Sequence, residues 1–256
     1  MTEDDPAALV AALADVHRRT TMVGWDFAVL DGAMTSENPP WDFEADCLAA
    51  MRRARTVVDL GTGGGERLAA LLDRLPAGTA PSVVATEGWV PNEPVARERL
   101  APYGVPVVPY DAEAAPRLPF ADASVDLVMA RHEAYDAAEV ARVLTPGGAF
   151  LTQQVDGRDL VELRDWFGAE LLYPEVRLDR ARADLERAGL TVVVADEWQG
   201  RARFADVEAL VTYLALTPWT VPGFEPAAHP GRLAELHRGG AVDVTQVRFR
   251  CSARTP

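Results

Sequence analysis

A chain of 256 residues, 48% hydrophobic and 25% charged, is large enough for one generous core or for a core with a cap. Its 25 basic residues against 39 acidic ones leave a net charge of −14, which repels phosphate backbones and disfavours nucleic acid as the main partner. Every basic residue is Arg, so a phosphate-binding Walker Lys, a Schiff-base Lys and a catalytic Lys are excluded together.

Asp5 as N-cap and Pro6 at the first helical position predict a helix over 5–19, with Leu9, Leu13 and Val16 at helical spacing and Arg18-Arg19 at its cationic end. Residues 20–41 have no clean period and read as a loop; a helix over 43–53 follows. From 56 to 155 strands and helices alternate, which predicts a parallel sheet with crossover helices. The strands are Thr56–Leu60, Val83–Thr86, Val105–Val108, Val125–Met129 and Phe150–Val155. Helices fall between them, around Leu68–Leu75, over 93–101 with Asn92 as cap, and over 136–144. Residues 156–256 read as the continuation of the same sheet: helices over 159–170 and 178–188, a strand Thr191–Ala195, a helix over 205–216, a Pro/aromatic segment Pro218–Phe224 and a last strand Val244–Cys251. One domain is expected, with a cap segment at 1–55, a ligand-binding core at 56–155 and the end of the sheet with cap insertions at 156–256.

The rarer residues narrow the chemistry. Cys47 and Cys251 form no C-x-x-C and suit a reduced protein; His17, His132, His229 and His237 show no zinc spacing, so no metal is expected. None of Ser36, Ser82, Ser124 and Ser252 stands in a G-x-S-x-G elbow. The acidic Met1–Asp5 leads into no long apolar run, so neither a signal peptide nor a membrane span is expected and a cytoplasmic location follows.

Gly61-Thr62-Gly63-Gly64-Gly65 lies between a predicted strand and a predicted helix, where glycines let the backbone turn sharply and approach a ligand. Asp59 and Glu66 flank it, so two carboxylates would repel a pyrophosphate, whereas an uncharged adenosine group carrying a cationic sulfonium and ammonium would suffer no such repulsion. Glu87 ends the second strand and Asp111 follows the third; acids at successive strand ends can hold ribose hydroxyls and an exocyclic amine.

These residues carry a family resemblance. Val58–Gly65 resembles motif I of class I S-adenosylmethionine-dependent methyltransferases. Leu118-Pro119-Phe120-Ala121-Asp122-Ala123-Ser124-Val125-Asp126-Leu127-Val128 and Glu139-Val140-Ala141-Arg142-Val143-Leu144-Thr145-Pro146-Gly147-Gly148 are similar to two signatures of that family's ubiquinone/menaquinone-biosynthesis-type branch, with Val125 replacing the usual Phe. The resemblance implies a Rossmann-like seven-stranded α/β sheet with helices on both faces, and S-adenosylmethionine as cofactor with S-adenosylhomocysteine as product. It places Asp59, Gly61, Thr62 and Gly63 around the methionine part and Glu87 on the ribose. Gly88, Trp89, Asp111 and Ala112 would meet adenine, and Ala130 and Arg131 the amino-acid end.

For methyl transfer the protein mainly aligns nucleophile and methyl carbon, and a base is needed only where the acceptor must lose a proton. Arg131-His132-Glu133 follows the fourth strand; His132 is the candidate base, with Glu133 to orient it or Arg131 to bind an acidic substrate group, although a structural Arg–Glu pair around a satisfied His fits the same residues. Gln153 and Gln154 end the fifth strand and can bond the substrate or cap a loop. Trp25, Trp41, Trp219 and Phe224 are candidates to line a lid over an aromatic acceptor, or simply pin loops to the core. The leading expectation is therefore methylation of an aromatic or heteroaromatic small molecule in secondary metabolism, at O, N or C. An RNA or protein methyltransferase, a non-catalytic S-adenosylmethionine binder and a nicotinamide-dependent oxidoreductase are the alternatives, and a homodimer is one open oligomeric state.

Overall fold

The computed structural model describes residues 6–22, 27–76, 78, 80–112, 114, 117–171 and 173–256. In chain order its elements are α1 (Pro6–Arg19), β1 (Met34–Ser36), α2 (Phe43–Met51), β2 (Thr56–Leu60), α3 (Glu66–Asp73), β3 (Ser82–Glu87), α4 (Glu93–Leu100), β4 (Val107–Pro109), β5 (Val125–Arg131), α5 (Ala137–Val143) and β6 (Leu144–Val155). They continue with α6 (Val161–Phe167), α7 (Leu178–Arg187), β7 (Thr191–Phe204), α8 (Val207–Leu216), α9 (Pro230–Gly239) and β8 (Val242–Arg254). Asp42, Asp136 and Asp206 open α2, α5 and α8, each side chain accepting from the backbone N–H three residues on, at 2.8–2.9 Å.

The chain divides into two compact units. The larger comprises Pro40–Asp156, Glu175–Trp198 and Arg248–Pro256. Its strands run in the order β7-β8-β6-β5-β2-β3-β4, with β4, β3, β2, β5 and β6 parallel and β8 antiparallel to β6. The central strands are apolar on both faces, as a sheet covered on both sides requires. Met51, Leu68, Leu100, Leu127 and Met129 fill one face and Val128, Ala130, Val140, Phe150 and Leu185 the other. Two sequence signatures meet in one cluster here: Arg142 donates to Glu139, to Asp122 and to the carbonyls of Leu118 and Phe120, while Glu139 accepts from the Leu118 N–H.

The smaller unit comprises the described residues of Met1–Pro39 with Gly157–Pro174 and Gln199–Val247. Leu13, Leu163, Phe204, Leu210, Leu233 and Val244 belong to its core. Here β1 pairs antiparallel with the second half of β7, Met34 opposite Phe204 and Ser36 opposite Ala202.

Several expectations are corrected. The strands number eight among the described residues, not seven; the extra one, β1, lies inside the stretch read as loop and at three residues is too short to show an alternation. The helix α9 was not anticipated. The third strand begins two residues later than expected, the fifth begins at Leu144 directly after α5, and β7 runs on to Phe204. Asn92 precedes α4 but does not cap it with its side chain, because its own backbone is already helical.

Candidate cofactor and active site

The chain leaves β2 for β3 on one side, and β5 lies on the other, so the carboxyl ends of β2 and β5 flank the point where strand order reverses. That crevice is where open α/β sheets bind ligands. The glycine loop fills one side of it. Gly61, Gly63 and Gly65 all take positive φ (62°, 63° and 80°), which a side chain would strain. A Cβ on Gly61 would collide with the Glu133 carboxylate, which therefore lies directly over the loop. Thr86 receives the loop on β3: its hydroxyl accepts from Gly61 N–H at 3.2 Å and its carbonyl from Thr62 N–H at 2.8 Å.

Two acids face this loop. Glu87 is 5% exposed, and its carboxylate accepts from Gly63 N–H at 2.7 Å and from Trp89 N–H at 2.8 Å. Burial pushes its pKa above the usual carboxylate range, against the pull of those backbone donors. Burial, with the Glu87 charge adding to it and the Thr62 hydroxyl opposing, pushes Asp59 up to about 6. A carboxylate has about four acceptor sites, so Glu87 keeps capacity for a ligand hydroxyl beyond the backbone amides of Gly63, Gly88 and Trp89. A Cβ on Gly88 would approach the Tyr110 carbonyl to 2.8 Å and Asp111 Cα to 3.0 Å, so the ends of β3 and β4 are held close by the absence of a side chain. Asn92, after β3, is fully buried, and neither its Oδ1 nor its Nδ2 has a partner among the described residues. A buried amide in that state fits a polar ligand edge or an ordered water.

Across the crevice, His132 adopts φ 56°, a left-handed backbone uncommon for a residue with a side chain and found most often at functional turns. Its N–H donates to the Gln153 carbonyl at 2.8 Å. The ring is accessible yet densely surrounded by protein. That desolvation, together with the positive charges of Arg248, Arg131 and Arg67, holds its pKa well below the ordinary imidazole value. Arg131 reaches Glu44 Oε1 at 3.4 Å, and Arg67 the same oxygen at 2.6 Å. Burial and the neighbouring Arg67 lower Arg131 to about 10, and its Nε is buried with no partner among the described residues. Gln154 donates to the Glu133 carbonyl at 2.8 Å and to Thr152 Oγ1 at 2.7 Å.

The structure thus brings together Asp59, Gly61, Gly63, Glu87 and Glu133 on the loop side, and Arg131, His132 and Gln153 beside them. Ala130 is buried in β5 behind the crevice. Trp89 is 41% exposed, Ala112 half-buried, and exposed Asp111 accepts at 3.3 Å from Ala114 N–H, forming a local turn. Trp41 is half-buried and bonded to Gln153. Phe224 is packed in the core of the smaller unit against Phe167 and His229, and Trp219 of that unit is 42% exposed. Trp25 lies outside the described residues. Arg67, Thr86, Asn92 and Arg248 were not anticipated; none belongs to a motif, and each reaches the site from a different element. A cavity of about 610 Å³ in the larger unit lies elsewhere: Arg55, Asp126 and Gly147 among its lining residues place it at the opposite ends of these strands.

Among the described residues no group of three or more His, Cys, Asp or Glu is arranged to hold a metal, and no helix is long and apolar enough to cross a membrane. A family model for a methyltransferase domain matches residues 58–152. No curated protein matches the chain. Among solved structures, YcgJ from Bacillus subtilis is 16% identical, with a TM-score of 0.59 over 83% of this chain and 97% of that one. A SAM-dependent methyltransferase from Aquifex aeolicus is 16% identical, with a TM-score of 0.50 over 98% and 99%. The [4+2]-cyclase SpnF is 15% identical, with a TM-score of 0.53 over 97% and 93%. Residues 58–152 therefore match the model of a methyltransferase domain, and the chain has the Rossmann-like α/β fold that these solved structures share.

Proposed function

We propose that the protein transfers a methyl group from S-adenosylmethionine to a small-molecule acceptor, an aromatic or heteroaromatic metabolite. The observation that carries this reading is the loop held by Glu87 at the strand switch, with Glu133 over Gly61 and the Arg131-His132 turn opposite. When bound, the cofactor supplies an electrophilic methyl on a sulfonium. Asp59, Glu87 and Glu133 give the loop side a negative field that favours a cationic ligand. Asp59, Gly61, Thr62 and Gly63 would hold its methionine part, Glu87 its ribose hydroxyls, Gly88, Trp89, Asp111 and Ala112 its adenine, and Ala130 and Arg131 its amino-acid end. The unpartnered amide of Asn92 fits such a ligand, as does the close approach that Gly61 and Gly88 allow. His132, Arg131 and Gln154 would face the acceptor, with Trp41 behind them. His132 is held neutral at physiological pH, the form that a base requires and that a hydrogen-bond donor also has. The chain's net charge of −14 supports a small molecule over RNA.

Calorimetric titration with S-adenosylhomocysteine, with NAD as control, tests this. Micromolar binding of the first and none of the second is expected, and Glu87→Gln should weaken it about tenfold or more by replacing a charge-assisted acceptor. Binding of NAD, or of neither, would sink the reading.

A further inference from the structure

The orientation of His132 is set by a chain of contacts that leaves no chemical ambiguity. Gln153 is 5% exposed, and its Oε1 accepts from the Trp41 indole Nε1–H at 2.7 Å. An indole nitrogen only donates, so Gln153 must turn its oxygen to Trp41 and its NH2 the other way. That NH2 lies 3.4 Å from His132 Nε2. An amide NH2 also only donates, so His132 Nε2 is the acceptor and the proton of the neutral ring sits on Nδ1. Trp41 is itself fixed. The Arg250 guanidinium lies over its ring, 5.3 Å from the centroid, and is anchored to Asp46 at 2.6 Å and Asp196 at 2.8 Å.

Proton uptake at His132 would place Nε2–H against the NH2 of Gln153, two donors face to face, with Arg131, Arg67 and Arg248 opposing the new charge. The position suits a base poorly. What the ring offers is Nδ1–H, and the preceding residue, Arg131, carries a buried Nε–H with no partner among the described residues. We propose that His132 is a fixed hydrogen-bond donor that, with Arg131, holds an anionic oxygen of the acceptor, a carboxylate or a phenolate, and that Trp41 and Gln153 are positioning residues that lock its tautomer. The identity of the ligand rests on the methyl-transfer reading; the tautomer does not. An anion enters without needing a base, and the cluster supplies local positive charge on a chain whose overall charge is strongly negative.

Two measurements test it. Long-range proton–nitrogen correlation spectra of protein labelled with 15N-histidine read the tautomer without any ligand, with His132 assigned by its loss in His132→Ala. The Nδ1–H form is expected, unchanged across neutral pH. Gln153→Met should mix the tautomers, and Trp41→Phe should do the same by freeing the amide, which keeps the test intact should one variant not fold. An Nε2–H ring, an imidazolium at neutral pH, or a tautomer indifferent to both variants that fold would overturn the proposal. The second measurement titrates protein saturated with S-adenosylhomocysteine with benzoate, 4-nitrophenolate and benzamide. At least one anion should bind about fivefold or more tightly than benzamide, which one identifies carboxylate or phenolate, and His132→Ala should remove the preference. Equal binding of all three would overturn it. So would an equal loss of S-adenosylhomocysteine affinity in His132→Ala, which would assign the donor to the cofactor's own carboxylate. Failure of S-adenosylhomocysteine to bind wild-type protein would instead count against the methyl-transfer reading, with the tautomer still decided by the spectra.

Discussion

Asp59 and Glu87 hold their protons more tightly in the folded chain than free carboxyls do, and this gives the fold a pH dependence of definite sign. Asp59 moves from 3.8 to about 6 on folding. Its contribution to stability is therefore complete below 3.8 and is lost as pH rises through about 6. Replacing it with Asn should raise the thermal midpoint near pH 7.5 by the equivalent of on the order of 1–2 kcal/mol, since Asp59 is partly exposed, and should change little near pH 4. Unfolding curves at the two pH values check this, and a wild type more stable at the higher pH through this residue would contradict it. Gly61 gives a second prediction. Ala there meets both a positive φ and the Glu133 carboxylate, so Gly61→Ala should lose about tenfold or more in S-adenosylhomocysteine affinity, read by calorimetry, with a stability cost of about 1–2 kcal/mol. The glycines and the acids at the strand ends were legible because each is a local requirement of a strand–turn–helix unit. The surroundings of His132 were not: Trp41, Gln153 and Arg248 come from three segments that only the sheet brings together.

Among the elements, those with a long apolar run or a capping Asp were readable, and the failures have physical causes. The strand β7 extends past Ala195, where Trp198, Gly200, Ala202 and Phe204 alternate with the exposed Gln199, Arg201 and Arg203; Gly200 and Ala202 are too small to make that inner face read as an apolar stripe. The helix α9 opens on Pro230 with only Leu233 and Ala234 buried, too narrow a stripe to stand out from its Gly- and Pro-rich neighbours. The signatures at 118–128 and 139–148 show the reverse case, in which a motif has a mechanical reason. Arg142, with its side chain 17% exposed, ties α5 to the segment before β5 through two carboxylates and two carbonyls. Arg142→Met should cost roughly 2–4 kcal/mol in denaturant unfolding, because it leaves the Glu139 carboxylate and two carbonyls short of a donor. A change within about 0.5 kcal/mol would show that solvent replaces the guanidinium freely.

For the whole molecule, the charge of −14 makes a prediction that requires no site. Self-repulsion is screened by salt, so the thermal midpoint should rise by a few degrees between about 10 mM and 150 mM NaCl. Transfer RNA should show no measurable binding at the higher salt in an electrophoretic shift.

The discontinuous make-up of the smaller unit bears on how the chain is born. Its core includes Leu13 and Val244, so it cannot close until β8 has left the ribosome. The parallel pairs from β2 to β6, by contrast, have all their strands by residue 155. Synthesis should therefore proceed through a stage at which α1 has emerged long before the partners that bury it. A nascent chain arrested once Val155 has cleared the ribosomal exit tunnel, but before α8 emerges, should leave that helix open to protease while the parallel strands are already protected.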